Sequence, residues 1–368
     1  MAKSIYAVTT IIGTIIGVGF FSLPYISSQV GIPLMLLYFL VLGILVTYIH
    51  LFFGEVALKT PDFKRLPGFA RIHLGLWAEK LAIFTTILGF FGTILAYLIV
   101  GGGFLSDLLS PYLGGSTSLY VILFLALGSI LILRGIRMIA KVEFFGVVLL
   151  LSVLALIFFK ERSFIDFANI SGAMAFKPGN WFLPYGPILF ALWGTSIIPE
   201  AEEMIMDRKH LLGRTIVSSL LVVILVYLLF IFLVIGVSGS KVTPSALGGL
   251  ASAMDGKAVH LVFLFGLLAT FNAFISAGLT LKKSLIYDLK MNWGWAWGLT
   301  CFVPLILFFL GFNNFITLIS FVGAVMLGID GILILLMYHK INEKNILVYP
   351  WLLIFVVGII YEIIRFFK

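Results

Sequence analysis

Two short stretches of this 368-residue chain place chemistry where an apolar helix should be most regular. The first reads Gly13-Thr14-Ile15-Ile16-Gly17-Val18-Gly19-Phe20-Phe21-Ser22-Leu23-Pro24. The second reads Leu192-Trp193-Gly194-Thr195-Ser196-Ile197-Ile198-Pro199-Glu200. Inside a helix, glycine costs about 1 kcal/mol relative to alanine and proline about 3, so both stretches are expected to unwind. Unwound backbone offers free N–H and C=O groups. Those N–H groups around Gly17, Val18 and Gly19, backed by the positive end of the half-helix that follows, suit a carboxylate. Carbonyls around Trp193, Gly194 and Thr195 suit an ammonium. The hydroxyls of Thr14 and Ser196 add polar contacts, while Phe20, Phe21 and Trp193 would wall an apolar pocket for a neutral or aromatic side chain. One such interruption would read as tight helix packing. Two, each in the first span of a five-span half, are the sequence mark of a transporter's midplane site.

Ionisable and polar groups add a second set. Asp330 lies in Gly323-Ala-Val-Met-Leu-Gly-Ile-Asp-Gly331, and Ser320, Gly323, Leu327 and Asp330 share one helical face by three-and-four spacing. A carboxyl buried there either carries a proton or fixes helix packing. Asn272, Ser276 and Thr280 follow at i, i+4 and i+8 beside Ala269 and Ala273. That face offers oxygen ligands to a hard cation or hydrogen bonds to a neighbouring helix. Glu55 reads as an i,i+4 partner of Lys59, and His50 as a satisfied core histidine. The cluster Glu200, Glu202, Glu203 and Asp207 with Arg208, Lys209 and Arg214 reads as a solvated rim, the sharper alternative being a gate ion pair to Arg134 or Arg137. Gly101-Gly102-Gly103 reads as a packing face, since it lacks the Lys-Ser/Thr of a phosphate loop.

The elements that must position these groups follow from composition. Hydrophobic residues make up 62% of the chain and charged residues 11%, against about 25% charged in soluble domains. With a mean hydropathy of +1.19, neither a water-soluble fold nor disorder is compatible, and an all-α polytopic membrane protein is expected. Eleven apolar segments separate, at about 5–28, 33–58, 77–109, 118–133, 139–159, 182–205, 211–238, 257–281, 293–312, 314–338 and 346–367. Each is long enough to cross about 30 Å as a helix. The first is not expected to be a cleaved signal peptide, being long and glycine-interrupted without a small-x-small cleavage site. Of the 24 Lys and Arg, 17 fall on one side of that topology and 7 on the other. The positive-inside rule then puts the N-terminus in the cytoplasm and the C-terminus outside, in a multi-pass protein of the cell membrane. Trp77, Trp181, Trp293, Trp295, Trp297 and Trp351 near span ends read as interfacial anchors. A single cysteine, Cys301, excludes a disulfide framework.

The motif Gly13-Thr-Ile-Ile-Gly-Val-Gly-Phe-Phe-Ser-Leu-Pro24, with Val30-Gly31 and Gly54-Glu55-Val56 after it, resembles the start of bacterial aromatic amino acid permeases. It is similar also to the amino acid/auxin permeases; both groups belong to the amino acid–polyamine–organocation superfamily. The resemblance is close over about the first 60 residues and looser around the sixth span. It implies a five-plus-five inverted repeat with discontinuous helices 1 and 6, repeat one over about 5–159 and repeat two over 182–338. The core would then be residues 1–338, with 339–368 as an eleventh transmembrane helix. It further implies an amino acid bound between spans one and six, and alternating access driven by H⁺ or Na⁺. For Na⁺, the carbonyls of Gly13 and Ile16 would join the Asn272, Ser276 and Thr280 face. Some proton-coupled relatives carry a lysine deep in span five, absent here between Glu143 and Lys160. No His-Glu-x-x-His, Gly-x-Ser-x-Gly or Gly-Lys-Ser/Thr occurs, so no enzyme activity, nucleic-acid partner or cofactor beyond a coupling ion is expected. The expected function is ion-coupled secondary transport of neutral or aromatic amino acids through the lipid bilayer. The alternative is a non-transporting amino acid sensor, such as a spore-germinant receptor permease subunit.

Overall fold

Apolar runs interrupted by glycine and proline dictate helices that start, stop and bend at defined places. The computed structural model describes residues 2–60, 64–134, 164–252, 257–342 and 348–368, with Val148, Ser152, Ala155 and Phe159. No strand occurs among them. The segment expected at 139–159 therefore lies outside the described residues apart from those four positions. Among the described residues, seven helices are long and apolar enough to cross a membrane, and an eighth span results if the first bent pair is counted as one.

The first span consists of α1 (Ala2–Ile15) and α2 (Gly19–Val30), bent by 55° across the glycine motif. It breaks at Ile16–Val18, whereas Pro24 sits inside α2. Gly31, at φ +92°, turns the chain into α3 (Ile32–Lys59), and a Cβ there would run into the Ala175 carbonyl. A short amphipathic helix, α4 (Leu66–Leu74), occupies what reads in sequence as a plain loop, burying Pro67, Phe69 and Ala70. Next come α5 (Leu76–Leu113) and α6 (Thr117–Arg134). Gly101 and Gly102 of α5 meet Phe124 and Val121 of α6, the packing face expected of them, whereas Gly103 has open space at its Cα and lines a cavity. After α7 (Phe167–Ala173), the sixth span divides into α8 (Tyr185–Leu192) and α9 (Ile198–Met204), with Trp193 extended and Thr195–Ile197 in a single 3-10 turn.

The second half continues through α10 (Leu212–Ser238), α11 (Leu247–Ser252), α12 (Lys257–Tyr287) and α13 (Trp293–Phe309). The tenth span is α14 (Phe315–Phe321) and α15 (Leu327–Ile341), joined by a π-helical turn at Val322–Met326. That turn overrules the single face drawn from Ser320 to Asp330. A π turn takes more residues per revolution and shifts every later position around the axis. It lies against α8, where Gly323 and Gly186 leave no room for a side chain between the two backbones. The last helix, α16 (Val348–Phe366), closes the bundle.

Large apolar side chains face outward along whole helices. Leu37, Leu40 and Ile44 on α3, Leu221, Leu225 and Leu229 on α10, and Leu353 and Ile360 on α16 are all exposed. Spaced three, four or seven residues apart, they form apolar ridges that would be untenable in water and suit lipid. Trp77, Trp181, Trp293 and Trp295 are more than half exposed, as anchors should be. Lys59, Arg65, Arg71, Lys283 and Lys340 gather at one end of the bundle, through contacts that tie α3, α4, α5, α9, α12 and α15 together. Lys177 and Arg365 lie at the other end. Lys282 is buried and donates to the Ile132 carbonyl at 2.6 Å, capping the last turn of α6 with a positive charge. Glu55 pairs with Lys59 at 2.8 Å and also accepts from Asn342.

Candidate functional site

A broken helix leaves four backbone donors and four acceptors without intrahelical partners at each break. Around the first break, the N–H groups of Gly17, Val18 and Gly19 reach no backbone carbonyl, although Gly17 and Val18 do accept from Phe20 and Phe21. Glycine is required here by close approach: a Cβ at Gly17 would collide with the Tyr97 hydroxyl, and one at Gly19 would lie 2.8 Å from the Phe190 ring. The Tyr97 phenol faces the Val18 backbone N–H. The carbonyl ends of the two half-helices are joined from outside. Tyr227 of α10 is fully buried, and its hydroxyl lies 3.1 Å from the Ile15 carbonyl and 2.8 Å from that of Ala191, so one O–H serves both breaks.

The second break is held by His50. Its Nδ1 lies 2.7 Å from the Val46 carbonyl and its Nε2 lies 3.0 Å from the Gly194 N–H. A carbonyl can only accept and an amide N–H can only donate, so the ring is neutral with its proton on Nδ1. His50 is thus a satisfied histidine that also pins the unwound strand. Replacing it by alanine leaves a buried N–H unpaired, at about 1–3 kcal/mol. Transport in His50→Ala is expected to fall about tenfold or more with lowered thermal stability, while His50→Gln, which keeps an acceptor, retains more of both. Equal loss in the two variants would disprove this role.

Both breaks open on one central cavity of about 380 Å³. Of the residues singled out in sequence, Gly13, Thr14, Gly17, Val18, Gly19, Trp193, Thr195, Ser196, Asn272, Ser276, Thr280 and Asp330 line it. The Thr14 hydroxyl is buried in that wall with no hydrogen-bond partner among the described residues. The Thr280 hydroxyl donates to the Ser276 carbonyl at 2.9 Å, which leaves its oxygen lone pairs available. Asp330 is buried and accepts from Thr85 at 2.5 Å.

Four expected positions, Phe20, Phe21, Gly194 and Ile16, are corrected. Phe20 and its neighbour Phe21 turn away from the cavity: Phe20 stacks on Phe230 at 3.9 Å, and Phe21 meets Phe104 and Phe265 edge-on. The rotation of α2 after the break faces these rings into the core, so the apolar wall is built instead by Phe53, Phe90, Phe190 and Trp193. Gly194 is withdrawn because it does not line the cavity and its carbonyl accepts from the Ile197 N–H at 3.3 Å, while its own N–H is committed to His50. Ile16, expected to offer a carbonyl, does not line the cavity. The gate partner also changes. Glu200 pairs with Arg65 at 3.6 Å, from the residue just before α4, rather than with Arg134; Arg137 lies outside the described residues. Lys209 pairs locally with Glu202 at 2.8 Å, as a rim should.

Arg65, Glu200, Lys283 and Asp288 form the mouth of the cavity at the lysine- and arginine-rich end. Burial pushes the Asp288 carboxyl above its usual range while the Arg65 charge pulls it back. A second cavity, about 580 Å³, occupies the opposite end between Gln29, Asp107, Asn314 and Arg365. The two share no lining residue, and the Phe20, Phe21, Phe104 and Phe230 cluster lies in the core beside them. Sequence reasoning overlooked Thr85 and Tyr97. The signal was present, since Thr85, Gly89, Thr93 and Tyr97 recur every four residues and all four face the central cavity.

Comparison with known proteins agrees with this geometry. A family model described as the tryptophan/tyrosine permease family matches residues 1–360. The tyrosine-specific transport system 1 of Haemophilus influenzae is 24% identical over 341 residues, covering 88% of this chain and 84% of that protein. Among solved structures, Mhp1, a nucleobase-cation-symport-1 family transporter in a closed conformation with bromovinylhydantoin bound, superposes with a TM-score of 0.70 at 15% identity. That match covers 99% of this chain and 91% of the other. MhsT in complex with L-phenylalanine gives a TM-score of 0.70 at 13% identity, over 98% of this chain and 97% of its own. The fold is therefore that of these transporters.

Proposed function

Since the chain belongs to the tryptophan/tyrosine permease family, we propose that this amino acid transporter carries an aromatic amino acid by proton-coupled alternating access. The observation that carries the reading is the central cavity, where orphan backbone groups of both broken spans meet an aromatic wall. In this reading the N–H groups of Gly17, Val18 and Gly19, with the Tyr97 hydroxyl, hold the substrate carboxylate. The Trp193 carbonyl and the Thr195 and Ser196 hydroxyls take its ammonium, with Thr14 close by. Trp193, Phe190, Phe90 and Phe53 receive the aromatic ring. A tyrosine carrier among the relatives supports this substrate class.

Asp330 is the proposed proton carrier. A lone charge inside the bilayer costs several kcal/mol, and the partner the structure gives this carboxyl is the neutral Thr85 hydroxyl. Protonation removes that cost, so the carboxyl can take up a proton from one side and give it up on the other, where the substrate is released with it. The positive-inside rule supports placing the Arg65–Glu200 mouth and the N-terminus in the cytoplasm of the cell, with the C-terminus outside. Residues up to about 338 form the transport core and 339–368 an added helix.

Proteoliposome uptake of L-tyrosine, L-tryptophan and L-phenylalanine tests the whole reading. An imposed pH gradient alone is expected to drive accumulation. Uptake needing only sodium would transfer the coupling role to Asn272, Ser276 and Thr280 with the Gly13 carbonyl. Binding without uptake under either gradient would favour a receptor subunit.

The Arg65–Glu200 pair is partly solvated, and such pairs contribute about 0–1 kcal/mol to stability. Arg65→Ala is accordingly expected to melt within a few degrees of wild type yet transport several times more slowly. The charge-swapped double variant Arg65→Glu with Glu200→Arg should recover part of the rate. No recovery together with normal folding would remove the pair from the gate.

A further inference from the structure

We infer that Phe355 of α16 is a positioning residue for Trp193, so that the helix outside the two repeats takes part in selecting the substrate. The inference rests on the site proposed above. The helix is peripheral, with one face in lipid and a single buried stripe of Val348, Phe355, Gly358 and Glu362. Those positions are seven, three and four residues apart, one face of a helix. Gly358 receives the Tyr185 ring of α8 with no space for a side chain, and the Tyr185 hydroxyl donates to the Ile354 carbonyl at 3.1 Å. The last helix is thereby locked to the first half of the broken sixth span.

Phe355 is fully buried and reaches further inward. Its ring meets the Trp193 indole edge-on at 6.4 Å and 83°. On its other side it lies against Gly331, the residue after Asp330, where a Cβ would fall 2.5–2.9 Å from three ring atoms. The ring therefore has one place to sit. Trp193 stands at the end of α8 in extended backbone, so its side chain is not laid back over the preceding turn as that of a helical residue is. Two rings confine it instead: His50 at 6.1 Å and Phe355. His50 also holds the neighbouring Gly194 backbone, whereas Phe355 meets Trp193 ring to ring. Removing the Phe355 ring opens a space behind Trp193 into which the indole can retreat, and the pocket loses its fitted aromatic wall.

The test is competitive uptake of L-tyrosine against L-leucine in proteoliposomes carrying wild type, Phe355→Ala, Phe355→Leu or Trp193→Ala. Phe355→Ala is expected to reduce the tyrosine-over-leucine preference about fivefold, the scale of one lost aromatic pair, through a higher KM for tyrosine at similar maximal rate. Phe355→Leu fills most of the volume, so it should fold even where alanine does not and show a smaller shift of the same sign. Unchanged preference in both Phe355 variants, with a shift in Trp193→Ala, overturns the inference and leaves the site intact. Unchanged preference in Trp193→Ala would instead overturn the site itself.

Discussion

Gly19→Leu is expected to abolish substrate binding in a protein that still folds. Gly19 opens α2 with its Cα against the Phe190 ring and the Ala191 backbone, so a leucine there must displace α2 from α8. Overpacking of this kind costs about 1–3 kcal/mol, which a many-span bundle survives. Binding is affected far more, because the displaced N–H groups are the ones that would hold the carboxylate. Hydrogen bonds to a charged group contribute about 1.5–3 kcal/mol each, so losing two corresponds to roughly a hundredfold or more in affinity. Gly17→Val should act alike by driving into the Tyr97 hydroxyl. Equilibrium binding of L-tyrosine to detergent-purified protein, beside a thermal melt, makes the comparison. Near-normal affinity in either folded variant would sink the carboxylate assignment.

Asp330→Asn is expected to uncouple transport from the pH gradient. Asparagine keeps the size of the carboxyl and its hydrogen bond to Thr85 while fixing the site in an uncharged form. Exchange of tyrosine across the membrane should persist, because it needs no net proton movement. Accumulation against a gradient should be lost, and the rate should become flat with pH. Counterflow and net uptake in the same proteoliposomes separate the two. A variant that still concentrates tyrosine with the wild-type pH profile would remove Asp330 from coupling and promote the Asn272, Ser276 and Thr280 face.

Much of the site was legible because its signals are local. A glycine pair or a glycine before small polar residues weakens its own helix wherever it stands, so both breaks occur where the motifs lie. Thr85, Gly89, Thr93 and Tyr97 were legible too, as a four-residue repeat of small and polar groups in an apolar span. The face containing Asp330 was misjudged for a reason spacing cannot reveal. The π turn at Val322–Met326 changes the phase of the tenth span, and it lies where Gly186 and Gly323 bring two backbones together. Phe20 and Phe21 failed as pocket walls because the rotation of α2 after the break is settled by Phe104 and Phe230, residues on other spans.

From the sequence alone came the membrane setting, nearly every described span, the two broken helices and twelve of the lining residues. These depend on composition and on periodicity within one helix. Only the tertiary structure decided that His50 pins Gly194, that Tyr227 bridges both half-helices, that Thr85 meets Asp330 and that Arg65 reaches Glu200. The physical reason is that such pairings depend on how each helix is turned and how closely two helices approach. Those quantities are set by steric fits between distant segments, and no single segment encodes them.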